Sequence, residues 1–240
     1  MNVTVSDNAS AVPIGEPVRV AAHVDRHFAR RGRGPEFDME VRWIRRHVPE
    51  DLSRWADVGC GNGALIRAIG RGRPIGIDYA AIGLAPTTPR SPNARFVCAD
   101  AANLPLAERS LIAITSQHLI EHLPDAERAC REWHRVLEPG GLLIIQTPNA
   151  AFCDPGVFDD PSHVRLFDRR TLGRIVRDAG FTVVDLRTLG LPWFRDHRRF
   201  PGGWRFRRLV TAHAERLSAC PGCRWSGQTL CCLARKPVRS

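Results

Sequence analysis

Apolar positions along the chain follow two spacings, one after the other. Between residues 18 and 48, Val20, Val24 and Phe28, then Phe37, Val41, Ile44 and Val48, recur at helical intervals. Arg31-Gly32-Arg33-Gly34-Pro35 interrupts the series, which predicts two helices with a break between them. Residues 1–17 are polar and read as an arm. From residue 55 the pattern changes to short apolar runs of strand length, alternating with amphipathic stretches. The runs fall at 55–58, 74–78, 94–99, 111–115, 142–146, 181–186 and 229–234. Helices are predicted over 64–69, over 125–137 with Gly140-Gly141 as its stop, and over 171–179 closed by Gly180. Alternating strand and helix signals predict an α/β protein with a Rossmann-like, doubly wound sheet and helices on both faces. Pro86, Pro89 and Pro92 stand between the second and third runs, so the helix expected there is short or replaced by loop.

Length and composition change this picture little. A chain of 240 residues with 43% hydrophobic and 25% charged residues has enough chain for a substantial core. The expected organisation is an N-terminal arm with helices packing on the core over 1–48, followed by the main domain over 49–240. No apolar run reaches the ~18 residues of a membrane span. The first twenty residues carry no apolar secretory core, and a cytoplasmic protein is expected.

Charge changes the picture at one place. The net charge is +10, and Lys236 is the sole lysine among the 35 basic residues. Eleven of them lie within residues 190–240, against Asp196 and Glu215. Trp193, Phe194, Phe200, Trp204, Phe206 and Trp225 are interleaved with these arginines, in a stretch longer than a hairpin needs. The insertion 190–227 is read as a substrate-access element: a lid, a peripheral membrane contact, or a docking patch for an acidic carrier. Stacking of RNA bases on the same aromatics ranks second.

Eight cysteines include one cluster, Cys220-Pro-Gly-Cys223 with Cys231-Cys232. Its spacing fits a zinc knuckle. Cys231 and Cys232, however, are neighbours in a predicted strand and point to opposite faces. Free thiols and no metal are the expectation.

The chemistry concentrates where the first run ends. Asp57-Val58-Gly59-Cys60-Gly61-Asn62-Gly63 separates a strand from a helix. Glycines serve where backbone turns sharply and a ligand approaches closely, and the following helix start favours an anion or carboxylate. Asp78 ends the second strand, where an acid can hold ribose hydroxyls. Gly59-x-Gly61-x-x-Ala64 also satisfies the dinucleotide fingerprint, so a nicotinamide cofactor stays open on the glycines alone. Asp57, Gly63 and Asp100, an acid at the end of the third strand, weigh against it. Asp57 would repel a pyrophosphate and attract an α-amino group.

These motifs resemble the class I S-adenosylmethionine (SAM)-dependent methyltransferases, in the branch similar to ubiquinone-, menaquinone- and natural-product-modifying enzymes. Ser116 to Leu123 resembles that family's segment after strand four, and Arg135 to Gly141 its turn into strand five. The resemblance implies SAM as cofactor and a seven-stranded sheet with an antiparallel last strand. It implies a glycine loop of Asp57, Gly59, Cys60, Gly61 and Gly63, a ribose contact at Asp78 with Tyr79, and an adenine contact at Asp100 and Ala101, with Gln117 beside the cofactor. The implied activity is methyl transfer to a small molecule or a lipid- or carrier-linked metabolite, on oxygen. RNA methylation and NAD-dependent oxidoreduction are the alternatives. An oxygen acceptor needs a base. His163, in a loop after Thr147-Pro148-Asn149, is the first candidate and His118 the second, whereas Glu121-His122 is read as structural.

Overall fold

A computed structural model describes residues 34–80, 93–153, 157, 159–190 and 227–238. The arm, the helix expected within 18–32, the proline-rich stretch before β3, Cys220, Cys223 and nearly all of the basic segment lie outside the described residues.

Seven strands form one sheet: β1 (Trp55–Val58), β2 (Ile75–Asp78), β3 (Arg95–Cys98), β4 (Leu111–Gln117), β5 (Leu137–Pro148), β6 (Thr182–Leu189) and β7 (Thr229–Arg235). Their order is β3-β2-β1-β4-β5-β7-β6, and β7 is antiparallel to both its neighbours. Among the described residues four α-helices cover it: α1 (Pro35–His47), α2 (Ala64–Ile69), α3 (Ala126–Val136) and α4 (Arg169–Asp178).

Each helix buries the stripe its sequence prepares. In α3 the buried residues Ala126, Ala129, Cys130, Trp133 and Val136 recur every three or four positions, behind an Asp125 cap that accepts from Arg128 N–H at 2.8 Å. They join Leu172, Ile175 and Val176 of α4 in a cluster on one face of the sheet. Met39, Trp43 and Ile44 of α1 meet Leu65, Ile66 and Ile69 of α2 on the other. Cys232 belongs to the first cluster and Cys231 to the second, as strand alternation requires. Burial, the largest influence, pushes the Cys232 thiol up to about 12 and Cys231 well above its ordinary range, so both stand as neutral thiols.

One boundary differs from the sequence expectation. Helix α3 ends at Val136, and β5 begins at once with Leu137. Gly140-Gly141 therefore stop no helix. They lie inside the strand, where the pairing with β4 shifts register between Leu111 and Ala113. Gly140 takes a φ of +84° and donates its N–H to Lys236 O, and a Cβ on Gly141 would sit 2.9 Å from Glu138 O. The pair shapes a bulge.

The topology decides where a ligand can sit. The chain leaves β1 for α2 on one face and β4 for α3 on the other. Adjacent strands whose connections diverge leave a crevice at their carboxyl ends. The glycine loop and the segment 118–122 line that crevice.

Candidate cofactor and acceptor site

The glycine loop is held to the end of β2 by backbone and carboxylate together. Gly59 and Cys60 donate to Ile77 O at 2.7 and 3.0 Å, and Gly61 N–H donates to Asp78 Oδ2 at 2.8 Å. Gly59, Gly61 and Gly63 have φ of +78°, +51° and +71°, the left-handed region where glycine alone is unstrained. A Cβ on Gly59 would meet Leu119 at 2.8 Å. The loop thus requires glycine for its own shape as well as for the approach of a ligand.

Asp57 is 2% exposed and accepts a hydrogen bond from Thr115 Oγ1 at 2.7 Å, while Trp55 Nε1 donates to the same hydroxyl at 3.1 Å. A fully buried indole thereby fixes the carboxylate through one intermediary. Asp78 uses its second oxygen to accept from Ala80 N–H at 2.9 Å. Asp100 accepts from Ala102 N–H at 2.8 Å, and Ala101 O accepts from Trp133 Nε1 at 3.0 Å.

Two cavities meet at Gly59. The first, about 520 Å³, is lined by Ile77, Asp78, Tyr79, Asp100, Ala101, Leu119, His122 and others. The second, about 330 Å³, is lined by Asp57, Cys60, Gly61, Gln117 and His118, with Glu36, Phe37 and Glu40 of α1 and Pro148, Val157 and Thr229 opposite. Every residue expected to bind the cofactor, except Gly63, lines one or the other. Gly63 stands one step back, at the start of α2, where its Cβ would press on Phe96 at 3.2 Å. The Cys60 thiol is raised above its ordinary range, first by burial and then by Asp57 and Asp78.

The second cavity contains a residue that sequence reading passed over. Glu40 is 5% exposed and sits at a junction of three elements. It accepts from Thr229 Oγ1 at 2.8 Å and from Gln117 Nε2 at 2.9 Å, and His118 Nε2 lies 3.2 Å from its Oε1. The signal was a carboxylate on the buried face of a helix, one turn before Ile44. His118 Nδ1 lies 3.5 Å from Glu121 Oε1, so both of its ring nitrogens face carboxylates. Burial works against the charge, but Glu40 and Glu121 prevail and push His118 up to about 9. Burial likewise opposes the Glu121 anion, and His118 and then His122 hold that carboxyl down at about 2. The His118 backbone is strained, with φ of +51°, and is pinned by its N–H to Gln146 O at 2.7 Å.

The two histidines proposed as bases are therefore separated. His118 lines the second cavity. His163 lines neither cavity as described. Its Nδ1 lies 2.6 Å from Val157 O, and its ring tilts against that of His122 at 4.8 Å between centroids.

The comparisons agree with this geometry. A family model described as a methyltransferase domain matches residues 56–145, the span from β1 into β5. A Mycobacterium tuberculosis protein named "Probable S-adenosylmethionine-dependent methyltransferase" is 35% identical over 185 residues, 70% of this chain. Over the matched residues the chain is similar to SAM-dependent methyltransferases. It spans 66% of the length of that relative, just short of two thirds. The 2-phytyl-1,4-naphtoquinone methyltransferase of Thermosynechococcus vestitus is 33% identical over 115 residues, covering 45% of this chain and 50% of its own. The fold matches a SAM-dependent methyltransferase from Mesorhizobium loti at a TM-score of 0.61 and 20% identity, over 84% of this chain and 98% of that one. The antiparallel β7 expected from the family resemblance is present, and the cofactor of the family is SAM. Among the described residues, no helix is long and apolar enough to cross a membrane.

Proposed function

We propose that this chain is a SAM-dependent methyltransferase acting on a small molecule or a lipid- or carrier-linked metabolite, at oxygen. The observation that carries this reading is the pair of cavities joined at Gly59, one with the nucleoside-type acids and one closed by α1. Residues Asp78 and Asp100 with Ala101 suit ribose and adenine. Asp57, buried at the junction, suits an α-ammonium group. When bound, SAM supplies an activated methyl group on a sulfonium.

What the chain itself contributes is positioning, which supplies much of the rate of an in-line displacement. The second cavity offers Glu36, Glu40 and Asp57 and, among its described lining residues, no Arg or Lys. A phosphate or carboxylate at the reacting end of the acceptor would be repelled. The reacting end is accordingly uncharged in this reading, and any acidic portion of the acceptor would pair with the arginines that the sequence carries in 190–227. Both ring nitrogens of His118 already face carboxylates, and His163 faces Val157 and His122. The acceptor we favour is therefore acidic in its own right, a phenol or enol, which needs little help from an imidazole. Relatives are named for methylation in naphthoquinone and menaquinone biosynthesis, one of them as a C-methyltransferase, which supports a quinone-type small molecule as the acceptor and leaves oxygen as our own reading. Incubation with methyl-labelled SAM and a library of phenols, enols, alcohols, amines and RNA tests this. Label on phenolic or enolic oxygen is expected. Transfer to amines or RNA alone would overturn the acceptor class.

A further inference from the structure

We propose that Glu121, His122 and His163 form a binding site for a divalent transition-metal ion, held by Glu121 Oε1 and the Nε2 atoms of both histidines. One donor atom from each of the three lies within 4.8 Å of the others. The hydrogen bonds say which atoms these are. Backbone carbonyls only accept, so His122 Nδ1, 2.9 Å from Ser162 O, and His163 Nδ1, 2.6 Å from Val157 O, both carry hydrogen. With hydrogen on Nδ1, Nε2 is the nitrogen that each ring can offer to an ion, and His122 Nε2 lies 3.9 Å from Glu121 Oε1. An imidazole whose outer nitrogen donates to a carbonyl is how proteins orient histidines that ligate metals.

Glu121 is prepared in the same manner. Its carboxylate is 1% exposed, and Oε2 accepts from Thr147 Oγ1 at 2.9 Å, which turns Oε1 toward the histidines. The loop that brings His163 is built, not draped. Asp160 Oδ1 accepts from Ser162 N–H and Oγ at 2.9 and 2.6 Å, and His163 N–H donates to Asp160 O. Val164 and Arg165 N–H both donate to Glu121 O, at 2.9 and 3.2 Å, fixing the loop against the residue whose side chain is the third ligand.

Ligand bonds of about 2.1 Å put donors roughly 3–4 Å apart, so the rings need to close by about an ångström, within reach of side-chain rotation. Two imidazole nitrogens and one carboxylate oxygen suit Zn²⁺, Co²⁺, Mn²⁺ or Fe²⁺ over the all-oxygen preferences of Mg²⁺ and Ca²⁺. The ion would bolt the loop 159–165 to the edge of β4, beside the cavity that His122 lines.

The test uses the tag-free 240-residue chain stripped with chelator and titrated with Co²⁺, whose visible spectrum separates nitrogen–oxygen from thiolate ligation. Stoichiometric binding with a nitrogen–oxygen spectrum is expected, with at least about 100-fold weaker binding in His163→Ala and His122→Ala. Circular dichroism confirms that each variant is folded, and His163→Gln, closer in shape, should lose the ion while retaining the loop. A thiolate-type spectrum abolished by Cys220→Ser and Cys223→Ser would assign the metal to the cysteines and overturn the proposal. So would unchanged Co²⁺ affinity in folded His163→Gln, or no binding at millimolar Co²⁺. None of these readouts depends on methyl transfer.

Discussion

At the scale of single residues, the site depends on side chains that do two things at once. Asp78 is one: both its oxygens accept backbone N–H groups, one from Gly61 in the glycine loop. Replacing it with Ala would remove the proposed charge-assisted partner of ribose and also the acceptor of the Gly61 N–H. The dissociation constant of S-adenosylhomocysteine should rise about tenfold or more, a loss of roughly 1.5–3 kcal/mol. An unchanged constant, read by calorimetry, would move the ribose contact elsewhere. Gly61→Val introduces a branched side chain at φ of +51°, where the proposed cofactor would approach. It should abolish SAM binding while circular dichroism stays near that of the parent, because the strain of about 1–2 kcal/mol falls on one loop residue. SAM binding at parental strength would refute the glycine-loop assignment. The motif from Asp57 to Gly63 was legible because glycine and carboxylate roles are local. The double use of Asp78 was less so, since it shows only when β2 and the loop are side by side.

At the scale of elements, α1 carries more than its amphipathic pattern announced. Its apolar positions forecast a helix against the core, and Met39, Val41, Trp43 and Ile44 are indeed buried. What the pattern concealed is Glu40, whose partners Gln117 and Thr229 stand 77 and 189 residues away in sequence. No window of local periodicity reaches so far. The junction of α3 and β5 escaped for a similar reason. Gly140-Gly141 follow a helical stretch and look like its stop, whereas Lys236 accepts the Gly140 N–H and keeps the backbone in the sheet. Glu40 fastens α1 to β4 and β7, and its loss would take the acceptor from the buried Thr229 hydroxyl and leave His118 facing Glu121 alone. Glu40→Ala should therefore lower stability to urea by about 3–5 kcal/mol, as removing one partner of a buried charged pair does. S-adenosylhomocysteine affinity should change only a few-fold, because Glu40 lines the second cavity and not the first. A variant as stable as the parent would show that α1 is held by its apolar face alone.

At the scale of the whole molecule, the alternation of strand and helix signals foretold a doubly wound α/β sheet and the family resemblance supplied the antiparallel β7, whereas the order β3-β2-β1-β4-β5-β7-β6 shows only in the structure. The charge distribution concerns what the molecule meets outside. The second cavity is lined by Glu36, Glu40 and Asp57, whereas the chain as a whole is +10 and holds eleven basic residues against two acids within 190–240. Neutralising Arg198, Arg199, Arg207 and Arg208 together should raise the Michaelis constant for an acidic or membrane-presented acceptor and spare SAM binding. The effect should fade with salt, since exposed charges beyond about 8 Å are largely screened at physiological ionic strength. No change at low salt would reduce the patch to a solvated face. RNA binding with a steep salt slope, lost in the quadruple variant, would instead favour a nucleic-acid acceptor.

The joined cavities are most directly tested by isothermal titration of the full chain with SAM, S-adenosylhomocysteine and NAD in parallel. Stoichiometric binding of both adenosyl ligands with no heat from NAD is the result expected of Asp57, Asp78 and Asp100 around this glycine loop. Binding of NAD, or the absence of any binding of SAM by the folded protein, would contradict it.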